Sequence, residues 1–90
     1  MAEKVFIALQ NNPDAQPIIE AIVEDNEHAV VNESPGMVKI DCPKRLLIRR
    51  ETIEAKLGRE FDLQDIHLTL ISLSGNLDED EDELLLHWDF

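Results

Sequence analysis

Six consecutive acids, residues 78–83, run straight into "LLLHWDF" at the end of the chain. No other feature constrains the fold as strongly. An acidic run alone reads as a solvated tail, but the apolar run after it alternates. Leu84, Leu86, Trp88 and Phe90 fall on one face, and Leu85, His87 and Asp89 on the other. A period of two with that much apolar surface marks a strand that must pack on a sheet. The acids are therefore expected to form the charged turn of a C-terminal β-hairpin, keeping an apolar strand soluble.

The remaining elements follow from periodicity. "KVFIALQ" places Val5, Ile7 and Leu9 against Phe6 and Ala8, as in a strand buried on at least one side. Asp14 is the expected cap of a helix with Pro17 in its first turn and a stripe of Ile18, Ile19, Ile22 and Val23 running to about residue 25. "HAVVNE" and "GMVKIDC" flank "SPG" as a hairpin, with Val38, Ile40 and Cys42 pointing inward. "LLI" is a short extended piece. "RETIEAKLG" is a second helix, with Ile53 and Leu57 on one face and Gly58 closing it, though no good N-cap precedes it. "DLQD" suggests one more turn capped by Asp62. "IHLTLISLSGN" is expected to be a strand with Ile66, Leu68 and Leu70 on one face, the opposite face changing from His67 and Thr69 to Ile71 and Leu73. The predicted class is α+β: two strand–helix–strand–strand-like units, helices on a mostly antiparallel sheet, and a C-terminal β-hairpin. Ninety residues suit one domain, residues 1–90.

Chemistry is hard to place on this sequence. One cysteine, Cys42, allows no intramolecular disulfide and no cysteine cage for a metal, and it falls on the inward period of its strand. Asp78, Asp80 and Asp82 match the opening of a calcium loop, but Glu83 stands where its glycine should and Asp89 where its closing ligand should. His28, His67 and His87 lack ligand spacing, and no serine has the setting of a carrier-protein attachment site. No catalytic, cofactor-binding or metal residue is expected. The net charge of −12 repels phosphate backbones, so nucleic acid is not an expected partner. The N-terminus reads as neither signal peptide nor membrane span, and the lone cysteine fits a reducing cytoplasm. An acidic protein-interaction module and a DNA mimic both remain compatible with this composition.

The string "LGREFDLQDIHLTLISLSGNLDEDED", supported by "VFIALQNN", "IIEAIVEDNEHAVV" and "VKIDCPKRLLIRRET", carries a resemblance over nearly the whole chain. It resembles the small regulatory (effector or coupling) proteins of soluble multicomponent diiron monooxygenases, closest to the phenol hydroxylase regulatory component. The resemblance implies a cofactor-free subunit that binds a diiron hydroxylase and alters substrate access, electron transfer and coupling. It also implies partner contacts at Ile71, Ser72, Leu73, Ser74, Gly75 and Asn76, and at Gln10, Asn11 and Asn12 after the first strand. The residues alone leave two alternatives open: Ile71 and Leu73 packing under the last strand, and the Gln-Asn-Asn stretch serving only as a turn. The expected state is a monomer or weak homodimer.

Overall fold

A computed structural model of the chain describes residues 4–88; Asp89 and Phe90, read above as the end of the last strand, lie outside the described residues. The elements are β1 (Lys4–Gln10), α1 (Gln16–Asp25), β2 (Val30–Ser34), β3 (Met37–Pro43), β4 (Arg45–Arg49), α2 (Arg50–Leu57), a 3₁₀ helix (Leu63–Leu68), β5 (Leu70–Ser74), β6 (Asn76–Glu79) and β7 (Glu83–His87). They form an α+β fold with two antiparallel sheets, ordered β2-β3-β1-β5 and β4-β7-β6, and the second ends in the β6–β7 hairpin. Alternation aims Val5, Ile7 and Leu9 of β1 and Val38, Ile40 and Cys42 of β3 into one core. Leu46, Ile48, Leu84 and Leu86 of the second sheet and Ile18, Ile19 and Ile22 of α1 enter the same core.

The two sheets are linked by strands that bend rather than by long loops. One residue, Lys44, separates β3 from β4, and one residue, Gly75, separates β5 from β6. Both take positive φ, 70° and 129°. Each long strand thereby leaves one sheet and enters the other at a corner. At Gly75 glycine is required: a Cβ there would stand 2.9 Å from Val5 Cγ1, and the φ disfavours any L side chain. Trp88 Nε1 donates to the Lys4 carbonyl at 2.8 Å and ties the end of the second sheet to the start of the first.

Several local expectations are corrected. Asp14 does not cap α1; the residue before the helix is Ala15, already in the α region with no side-chain cap. Asn12 Oδ1 instead accepts from the Ala15 N–H at 2.9 Å, one turn earlier. Ile18, Ile19 and Ile22 are buried as expected, but Val23 faces solvent and Ala21 takes the inner position. At the other end of α1, the Asn26 amide behaves like a strand partner. Its Oδ1 accepts from the Leu47 N–H at 2.9 Å, and its Nδ2 donates to the carbonyls of Leu47 and Ile22 at 2.7 Å each. The open edge of β4 is closed in this way by one side chain. α2 has no side-chain N-cap, and Gly58 ends it at φ 75° with its N–H on the Glu54 carbonyl.

The largest departure lies at residues 63–69. The extended reading of "IHLTL" fails because Asp62 accepts from the Gln64 N–H at 3.0 Å and Thr69 Oγ1 donates to the Ile66 carbonyl at 3.1 Å, giving the backbone a helical alternative. On a three-residue period Leu63 and Ile66 turn inward, and Leu68 turns out. The acidic run is a turn as expected, but a narrow one. Asp78 and Glu79 belong to β6, and the reversal is made where Asp80 Oδ1 accepts from the N–H groups of Asp82 and Glu83 at 2.8 Å each.

Two substitutions test these joints by urea denaturation. Gly75→Ala is expected to cost about 3 kcal/mol, from left-handed strain plus overpacking against Val5. Asn26→Ala leaves the Leu47 N–H without its partner and is expected to cost about 2 kcal/mol.

Candidate partner-binding surface

Several of the titratable groups hold the chain together. Arg50 meets Asp82 at 2.7 Å and its N–H bonds the Asp82 carbonyl, fastening the acidic turn to the start of α2. Asp78 meets His87 Nε2 at 2.6 Å, and both Glu79 oxygens lie 3.2 Å from His67 Nε2. The three aspartates of the calcium-like sequence thus have three separate duties: Asp78 with a histidine, Asp80 with backbone N–H groups, Asp82 with an arginine. Among the described residues no group of three or more His, Cys, Asp or Glu is arranged to hold a metal ion. Cys42 is buried, and desolvation pushes its thiol pKa up, away from a reactive thiolate.

The surface also carries exposed apolar side chains. Among the described residues Leu68, at 76% exposure, is the most exposed large hydrophobic side chain; Val30 on β2 is 56% exposed, and Ile71 is 48% exposed three residues after Leu68. Leu68 and Ile71 are placed by irregularities of the backbone. Leu68 is turned out by the 3₁₀ helix. Ile71 is turned out by a bulge in β5: Ser72 lies opposite Ala8 and Leu70 opposite Leu9, so Ile71 has no cross-strand partner. Because β5 is an edge strand, this segment borders open solvent. Leu68 also rims a groove of about 380 Å3, whose walls include Gln10, Asn12, Pro17, Ile18 and Phe61.

The Gln10–Asn12 stretch sits beside this patch. The Gln10 N–H bonds the Thr69 carbonyl at 2.8 Å, joining it to the start of β5. Asn11 receives Gln16 Nε2 at 3.2 Å, and its N–H reaches the Gly36 carbonyl at 3.2 Å. Asn12 Nδ2 donates to Gln10 Oε1 at 3.3 Å. These amides link the β2–β3 turn, the start of α1 and the end of the 3₁₀ helix, so turn chemistry accounts for part of the stretch while Gln10 and Asn11 stay exposed. Of the late-strand residues, Ile71 and Ser72 are exposed next to this hub. Leu73 pairs with Ile7 and packs against the core. Ser74 lies opposite Phe6, while Gly75 and Asn76 lie at the far corner beside His87. The structure therefore joins Gln10, Asn11 and Asn12 to Ile71 and Ser72 but not to Gly75 and Asn76. Leu68 was hidden by the period-two reading; Leu63 and Ile66 at a spacing of three were the signal that exposes it.

Exposed apolar side chains at the sheet edges, Leu68 and Ile71 at β5 and Val30 and Val31 on β2, with no metal-holding cluster among the described residues, suit a protein-binding module. Residues 3–87 match the MmoB/DmpM family, and the chain belongs to that family. It is 48% identical over 88 residues to the phenol 2-monooxygenase stimulatory component DmpM of Pseudomonas sp. (strain CF600), covering 98% of each chain. It superimposes with a TM-score of 0.93 on a chain solved in a phenol hydroxylase–regulatory protein complex, at 45% identity, covering 97% of this chain and 100% of that one. The fold also matches soluble methane monooxygenase regulatory protein B, with a TM-score of 0.77 at 17% identity, over 99% of this chain and 67% of that one. Among the described residues no helix is long and apolar enough to cross a membrane.

Three stability measurements follow. Leu68→Ser is expected to change unfolding free energy by no more than about 0.5 kcal/mol, as for an exposed position. Leu73→Asp is expected to lose several times that, because its carboxylate would enter the core. Backbone N–H groups of Glu83 and then Asp82 hold the Asp80 carboxyl below its ordinary pKa. A depressed folded-state pKa contributes stability above the unfolded pKa and loses it as pH falls through the folded value. The stability gap between wild type and Asp80→Ala should therefore be full at neutral pH and shrink below about pH 4.

Proposed function

We propose that this protein is the regulatory subunit of a phenol hydroxylase: it binds the hydroxylase component and stimulates hydroxylation of phenol or a related aromatic, contributing no catalytic group itself. The observation that carries this reading is 48% identity to a phenol 2-monooxygenase stimulatory component over 98% of both chains. Its structural match to a chain from a phenol hydroxylase–regulatory protein complex supports the same partner. The proposed site of action is the cytoplasm, where the lone buried thiol of Cys42 stays reduced.

A subunit without chemistry acts only through differential affinity. It binds one conformation of the hydroxylase better than another and shifts the population toward it. A tenfold shift needs about 1.4 kcal/mol of difference, well within what two apolar anchors supply when desolvated. Leu68 and Ile71 are the proposed anchors, with Gln10, Asn11, Asn12 and Ser72 as the polar rim around them. Ser74, Gly75 and Asn76 extend this edge toward the corner where β5 becomes β6. Substrate access, electron transfer and coupling in the diiron site of the partner are then altered from outside.

The test is a titration of the purified protein into hydroxylase and reductase, with phenol turnover and coupling as readouts. A saturable rise is expected, and no change across the titration overturns the reading. Ile71→Glu should raise the concentration needed for half-maximal stimulation by about tenfold, with the melting temperature unchanged.

A further inference from the structure

The chain has eight Lys and Arg against twenty Asp and Glu, and half of those cations have a carboxylate at hand. Lys39 meets Asp41, Arg49 meets Glu51 and Glu83, Arg50 meets Glu54 and Asp82, and Lys56 meets Glu24. Lys4, Lys44 and Arg45 are exposed and make no ion pair among the described residues. The fold nevertheless collects all three at one corner. Lys4 lies opposite Pro43 in the β1–β3 register, Arg45 lies opposite His87 in the β4–β7 register, and Trp88 bonds the Lys4 carbonyl. A protein of net charge −12 thus brings three cations to one corner without an ion pair of theirs among the described residues, although Asp25, Glu27 and Glu83 line the same pocket as Arg45.

Lys44 supplies a second, independent observation. It is the one non-glycine among the described residues with positive φ, at 70°. The equivalent crossing between the sheets uses Gly75, and glycine or asparagine would hold the turn at Lys44 with less strain. A long cationic side chain kept in a conformation that disfavours side chains points to a use for the charge.

We infer that Lys4, Lys44 and Arg45 form a cationic anchor that takes a carboxylate-bearing patch on the surface of the hydroxylase; this rests on the function proposed above. The anchor lies at the opposite end of β1 from Gln10, six residue steps or about 20 Å away. That separation is within the span of a standard protein–protein interface of about 800 Å2 per partner. The corner steers the encounter and fixes orientation, and the apolar edge holds the complex.

The experiment measures the Kd of the full chain for intact hydroxylase at low and at high salt, beside the melting temperature, for wild type, Lys44→Gly, Lys44→Arg and Lys44→Glu. Lys44→Gly should melt about 4 °C higher, because strain is removed, yet bind about fivefold more weakly at low salt. Lys44→Arg should bind as wild type does. Lys44→Glu should lose about tenfold or more, and high salt should bring all four together. Lys44→Gly gaining stability with unchanged affinity at low salt would overturn the anchor while leaving the regulatory function standing. Wild type failing to bind the hydroxylase at all would remove that function, and the anchor with it.

Discussion

At Gly75 the backbone of one bent strand passes so close to Val5 that no side chain fits between them. Much of the molecule depends on that approach. It lets β5 finish its pairing with β1 at Ser74 and lets β6 begin its pairing with β7 at Asn76, one residue apart. The second sheet is thereby swung around so that Leu46, Ile48, Leu84 and Leu86 close the same core that Val5, Ile7 and Leu9 open. Trp88, bonded to the Lys4 carbonyl, secures the corner from the other side. With the far end of β5 fixed there, its near end must lie along the open edge of the first sheet. The bulge at Ile71 and the 3₁₀ turn before it then determine which apolar side chains face outward.

How much of this was readable beforehand depends on where each interaction is made. β1 and β3 are visible as alternation because their inward faces are strictly apolar, and the hairpin at the acidic run is visible because "LLLHWDF" cannot stay in water. Gly58 is visible because its role is local to the helix it ends. The 3₁₀ helix at Leu63–Leu68 is not visible to a two-residue period, although its cap at Asp62 is. Its apolar residues fit either pattern, and the choice is made by the hydrogen bond that Asp62 accepts from Gln64 and the one that Thr69 donates to Ile66. The switch of β5 into the first sheet and the closure of β4 by Asn26 are contacts between distant parts of the chain, and Asn26 lies 21 residues from Leu47. Of the proposed surface, Ile71, Ser72 and the Gln10–Asn12 stretch are named by the family resemblance, and the structure shows Gln10, Asn11, Ile71 and Ser72 exposed. Leu68 is not named by it, and Leu73 belongs with the core.

The acids at residues 78–83 serve the fold more than the surface. Asp80 shapes the turn through the backbone, Asp82 ties it to Arg50, Asp78 holds His87 and Glu79 holds His67. Such exposed pairs contribute modestly one by one. Together they keep the short β6–β7 hairpin in place beside an apolar strand. On the function proposed above, binding falls to an apolar edge, and its effect on a hydroxylase is an energy difference between two states of that larger protein.

The measurement that bears most directly on this account is amide hydrogen exchange, residue by residue, on the free protein and on its complex with intact phenol hydroxylase. The account predicts new protection at Leu68–Ser72 and at Gln10–Asn12 when the hydroxylase is added. Exchange at those amides as fast in the complex as in the free protein, with protection confined to the exposed faces of α1 or β2, would contradict it.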